Sequence, residues 1–92
     1  MNKIRNYIDG NLTEPISKEY FHSFEPATGK AYAEVPDSEN EDLEAAIEAA
    51  QCAFKEWVRT PASERARLLN AIADEIDNQI ETMAKAESVD NG

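Results

Sequence analysis

The sequence predicts an α+β chain, two β-hairpins followed by an αα-hairpin. Three observations point there. Thr60 to Asn91 carries one apolar stripe at helical spacing, and Leu43 to Trp57 carries a second. Ahead of them, short apolar segments alternate with turn-forming pairs. The hairpins fall at 4–35 and the helices at 38–58 and 60–90. No repeat, low-complexity segment or flexible linker interrupts 1–92, so the chain reads as one folding unit.

Tyr7-Ile8-Asp9-Gly10-Asn11-Leu12 has the form of a tight hairpin. Asp-Gly suits a type I′ turn, whose two central residues need φ > 0. Ile16 to Lys18 is a connection. Tyr20–Phe24 and Lys30–Val35 form the second strand pair, joined through Pro26-Ala27-Thr28-Gly29. After Pro36-Asp37, Ser38-Glu39-Asn40-Glu41 reads as a capping box, with Ser38 as N-cap. Leu43, Ala46, Ile47, Ala50, Phe54 and Trp57 then share one helix face, whose small-residue middle allows a close neighbour. Thr60 is the expected N-cap of the next helix and Pro61 its first residue. At about 100° per residue, Ile72, Ala73, Ile76, Ile80, Met83 and Ala84 all lie within roughly 60° of Leu69. This helix is expected to run unbroken to Asn91-Gly92, residues suited to a left-handed stop.

Formal charge is −10, concentrated in the helical part. Residues 1–37 hold four basic and six acidic groups, residues 38–92 five and thirteen. That balance opposes nucleic acid or an anionic membrane surface as partner, since both need clustered Lys and Arg. The opening MNKIRNYIDG has no apolar h-region, and no run of ~18 apolar residues occurs. A cytoplasmic location is the expectation, and a single cysteine permits no intrachain disulfide.

Candidate chemistry is sparse. Cys52 lies about 180° around its helix from Leu43, with Glu48 and Glu56 one turn away on either side. Their charge disfavours a thiolate, so a surface or half-buried thiol is expected. His22, the only histidine, has no companion at metal-ligand spacing and reads as structural or solvent-facing. Gly10, Gly29 and Gly92 make neither G-x-G-x-x-G nor a P-loop. Phe54 and Trp57 read as core anchors. No nucleophile is paired with a base. Residue chemistry alone shows no active site. The helix stripes are too large for this chain to cover, which predicts the N-terminal portion of a larger fold.

Taken together, the segments resemble the N-terminus of an NAD(P)-dependent aldehyde dehydrogenase. The likeness runs through Tyr7-Ile8-Asp9-Gly10, Glu25-Pro26-Ala27-Thr28-Gly29-Lys30, Ala33-Glu34-Val35-Pro36 and Ala45-Ala46 to Phe54 with Trp57. It continues through Thr60-Pro61-Ala62-Ser63-Glu64-Arg65-Ala66, Leu68-Leu69 with Ala73-Asp74, and Ala86-Glu87-Ser88-Val89-Asp90-Asn91-Gly92. Two positions depart: Glu25 stands where the family usually has Asn, and Leu12 where it often has an aromatic residue. A branch acting on small semialdehydes would fit.

The resemblance implies that the chain is the outer part of an α/β cofactor-binding domain, packed beside its parallel sheet. It implies oxidation of an aldehyde to a carboxylic acid with NAD or NADP in a homo-oligomeric enzyme. In the family a cysteine thiolate attacks the aldehyde, a glutamate activates water, and an asparagine helps hold the oxyanion. None of these aligns within the chain, and Cys52 does not match the nucleophile. No catalytic or cofactor-binding residue is therefore expected, and the chain alone should be inactive. The resemblance also implies a monovalent cation held by the backbone carbonyls of Ser23 and Phe24 and the side chain of Asp90. A plainer reading gives Asp90 only the task of closing the helix end. Two other readings of the whole stay open, a free-standing acidic helical hairpin that binds a partner and a self-associating structural protein.

Overall fold

The structure, a computed structural model, describes every residue from Met1 to Gly92. Five short strands precede three helices: β1 (Asn2–Lys3), β2 (Asn6–Ile8), β3 (Asn11–Thr13), β4 (Tyr20–Phe24), β5 (Ala31–Pro36), α1 (Asn40–Trp57), α2 (Ala62–Asn78) and α3 (Ile80–Asn91). Strands β2 and β3 pair antiparallel as expected, with Asp9 at φ 52° and Gly10 at φ 77° in the turn. Strands β4 and β5 form the second hairpin, closed by Gly29 at φ 68°.

Strand β1 was not anticipated. It pairs parallel with β5, Asn2 opposite Ala33 and Lys3 opposite Glu34, giving the sheet order β1-β5-β4. The amide of Ile4 extends the ladder to the Glu34 carbonyl at 2.9 Å. Two residues carry no periodic signal, so only the accepting edge of β5 makes this segment a strand.

The N-terminus of α1 differs from the sequence expectation by one residue. The N-cap is Glu39, not Ser38, and the Asp42 carboxylate reaches back to accept from the Glu39 N–H at 3.0 Å. Ser38 is otherwise engaged, its hydroxyl accepting from Asn6 Nδ2 at 2.8 Å. Asp42 also accepts from the Ile16 N–H at 3.0 Å, and it is only 5% exposed. One carboxylate thus ties the 14–18 connection to the start of a helix, where the dipole favours negative charge.

The second helix also starts late, with Pro61 as N-cap rather than as first residue. It is not continuous. Gln79, at φ −114° and ψ 17°, separates α2 from α3, and its N–H is shared between the carbonyls of Glu75 and Ile76, both at 3.1 Å. Sharing of this kind marks a local 3₁₀-like tightening. It falls after Asp77-Asn78, residues whose side chains compete for backbone hydrogen bonds.

The helix pair has the expected order and short connection, but α1 and α2 do not pack along their length. Helix α1 instead meets the first hairpin. Ile8 and Gly10 face Ala46 and Ala49 across that seam, so the small-residue middle receives a hairpin rather than a helix. The expected core anchors stay open to solvent, Phe54 at 59% and Trp57 at 44%, and Leu69 is 66% exposed. Only Pro15, Ala33 and Asp42 are buried. Leu68, on the flank away from the main stripe, is half-buried. The radius of gyration is 16.8 Å, against about 12 Å for a compact domain of this length. No helix is long and apolar enough to cross a membrane.

Candidate functional site

The end of β4 and the end of α3 meet across Tyr32. Strand pairing runs Ser23 opposite Ala33 and then Phe24 opposite Ala31, so Tyr32 is passed over in the register. Such a bulge leaves one residue unpaired and re-aims its side chain. The Tyr32 hydroxyl donates to Asp90 Oδ1 at 2.5 Å and lies 3.5 Å from Ser23 Oγ. Beyond Asp90, Gly92 comes against the 25–29 turn, and a Cβ built there would sit 3.6 Å from the Pro26 Cβ. The carboxylate beside Tyr32 holds its phenol above the ordinary tyrosine range, because losing the proton would forfeit the bond and set two negative charges side by side.

Tyr32 therefore links Ser23 and Asp90, two of the three residues named from the sequence, and Phe24 follows Ser23 on β4, opposite the bulge in β5. Tyr32 itself was missed. Its one sequence signal is a large hydroxyl-bearing residue in a strand, which does not reveal a bond to a residue 58 positions on. A groove of about 640 Å³ runs beside this junction, lined by Asn2, Ile4, Tyr32, Met83, Val89 and Asp90 among others. The side-chain oxygens joined here are one carboxylate and two hydroxyls, without imidazole or thiolate. That donor chemistry fits a hard cation of low charge rather than zinc. No group of three or more His, Cys, Asp or Glu side chains that could hold a metal ion occurs at this junction or elsewhere.

The remaining candidates lie apart from this junction. Cys52 is a free, exposed thiol. His22 is exposed, its Nε2 3.9 Å from Glu34 Oε1 and its ring edge-on to Phe24 at 6.3 Å. A second cleft, about 400 Å³, lies between the first hairpin and the start of α1. Of its polar groups, Asn6, Ser38 and Asp42 are hydrogen-bonded to one another or to backbone.

Compared with known proteins, the chain matches the profile of the aldehyde dehydrogenase family over residues 12–92. The chain belongs to that family. Among curated aldehyde dehydrogenases, it is 47% identical over 87 residues to acetaldehyde dehydrogenase 2 of Cupriavidus necator, an alignment covering 95% of this chain and 17% of the relative. It is 42% identical over 89 residues to human 2-aminomuconic semialdehyde dehydrogenase, covering 97% and 18%.

Solved aldehyde dehydrogenases agree in three dimensions. A point mutant of the Bacillus cereus enzyme superposes with a TM-score of 0.94 at 34% identity, over 99% of this chain and 19% of that one. A betaine aldehyde dehydrogenase from Staphylococcus aureus, solved in complex with NAD+, gives 0.89 at 34% identity over 94% and 18%. The strands and helices described above are thus a part of the aldehyde dehydrogenase fold, and the chain spans under a fifth of the length of these relatives.

Proposed function

We propose that this chain is the N-terminal part of the cofactor-binding domain of a cytoplasmic, homo-oligomeric enzyme that oxidises an aldehyde to a carboxylic acid with NAD or NADP. Within it the chain is scaffold. The observation that carries this reading is the uncovered apolar face of the helices. Leu69, Ile72, Ile76, Ile80 and Met83 follow one another along α2 and α3, each exposed to solvent. Runs of apolar surface of this kind mark contact sites rather than free surface. The remainder of the enzyme is the partner that would cover them.

The dinucleotide, when bound, would supply the hydride acceptor. What this chain's own residues do is hold strands and helices at defined positions: Asp42 fixes the start of α1, and Tyr32 fixes the end of α3. At that end, the carbonyls of Ser23 and Phe24 and the Asp90 carboxylate would hold a monovalent cation, an oxygen set that suits a hard ion.

The test compares the 92-residue chain with the full-length polypeptide that contains it, following NADH or NADPH formation at 340 nm with a small aldehyde. Turnover is expected from the full-length protein and none from the chain alone. Ile76→Asp should sharply lower the soluble yield of the full-length protein, because a charge would be forced into apolar packing. A 92-residue chain that oxidises the aldehyde unaided, or that is a compact monomer with its helices sealed, would overturn the assignment.

A further inference from the structure

Ser23 and Asp90 come from opposite ends of the chain and from different kinds of element, a strand terminus and the last turn of a helix. Asp90 is exposed, and that turn holds no basic residue to offset it. A carboxylate there meets the negative end of the helix dipole, an arrangement that is disfavoured unless something positive or a donor compensates. The Tyr32 hydroxyl is the donor the structure provides, at 2.5 Å. It is also the only side chain hydrogen-bonded to both Ser23 and Asp90.

Resting on the cation site proposed above, we propose that Tyr32 is its positioning residue, the hydroxyl that joins the two ligand-bearing segments and fixes the Asp90 carboxylate ahead of the ion. The bond to Oδ1 occupies one carboxylate oxygen and leaves Oδ2 for a ligand. It also removes rotations that an exposed aspartate would otherwise lose on binding. The bulge at Ser23/Phe24 is what makes this possible, since regular pairing would place Tyr32 in the ladder opposite Phe24. Partners that orient a metal ligand without touching the metal change affinity by roughly 10- to 100-fold when removed. Tyr32 reaches one of three protein ligands, so the lower end of that range applies.

The experiment uses the full-length enzyme and the bare ions, KCl and NaCl titrated against choline chloride at constant ionic strength, with melting temperature as the readout. The wild type is expected to gain stability with K+ or Na+ beyond choline, and Asp90→Asn to lose that gain. Tyr32→Phe should keep the fold and move the midpoint of the cation response about tenfold higher. p-Aminophenylalanine at position 32, which restores a donor, should bring the midpoint back toward wild type.

A Tyr32→Phe enzyme with the wild-type midpoint refutes the role of Tyr32 while leaving the cation site standing. So does a shifted midpoint that the restored donor fails to recover, since packing would then be the cause. A wild type indifferent to both ions removes the cation site, and the positioning role with it.

Discussion

Replacing Asp42 by Ala tests whether one carboxylate joins the strand-rich part of the chain to its helices. The side chain is 5% exposed and accepts two backbone N–H groups, from Ile16 and Glu39, each at 3.0 Å. A hydrogen bond to a charged group contributes about 1.5–3 kcal/mol, and removing the acceptor leaves both amides to find water in a half-enclosed place. Loss of an acidic residue from the first helical turn adds about 0.3–1 kcal/mol. Water reaching the part-buried Ile16 and Glu39 amides returns some of this, which leaves a local destabilisation of about 2–4 kcal/mol. Hydrogen exchange read by mass spectrometry in the full-length polypeptide is the suitable assay, because it reports local opening without a two-state assumption. Peptides covering 14–19 and 37–43 should exchange roughly 10²-fold faster in the Asp42→Ala protein. Asp42→Asn should recover at most one bond, since its amide N–H₂ would face a donor. Unchanged exchange in both peptides would show that the carboxylate does not hold the two regions together.

Two further outcomes are expected. Gly10→Ala should destabilise the first hairpin by about 1 kcal/mol through backbone strain alone, because φ is +77° while a Cβ there meets no atom within 4 Å. Gly10→Asn should cost less, and exchange of the Tyr7–Leu12 amides would show the difference. Acidification should release the contacts of Glu14, whose carboxylate lies 3.3 Å from Lys18 Nζ and 3.8 Å from Lys3 Nζ. A hydrogen bond from Lys18, followed by its positive charge, holds the Glu14 carboxyl below the ordinary carboxylate range. The pKa is lowered in the folded state, so this contribution is complete above the ordinary value and disappears as pH falls through the lowered one. Carboxyl chemical shifts of Glu14 followed through that range should show it, and Glu14→Gln should abolish the step. A Glu14 that titrates at the ordinary value would contradict the Lys18 contact.

The parts of the fold that could be read in advance are those whose causes lie within a few residues. Asp9-Gly10 sets a left-handed pair whatever surrounds it, and both hairpins follow with their pairing. The apolar spacing of Leu43 to Trp57 and of Leu69 to Met83 gives helices for the same reason. Their ends were less legible. Ser38 has the chemistry of an N-cap, but Asn6 occupies its hydroxyl from 32 positions away, and the cap passes to Glu39. The break at Gln79 has no Pro or Gly to announce it. Within the candidate site, Ser23, Phe24 and Asp90 came from likeness to a family, whereas Tyr32 came only from the bulge that turns it toward Asp90.

By itself, then, the sequence determined the two hairpins and the helices that follow them, the turn geometry and the amphipathic faces, all of which depend on residue type and near-neighbour spacing. The aldehyde dehydrogenase family came from likeness to known sequences. The tertiary structure decided that β1 joins β5, that the first hairpin rather than α2 lies on the small face of α1, and that Asp42 and Tyr32 each join segments far apart in the chain. Those choices depend on which donors and acceptors meet after the chain has turned back on itself. A linear pattern lists the partners each group could take, and only the folded backbone brings one of them to 3 Å.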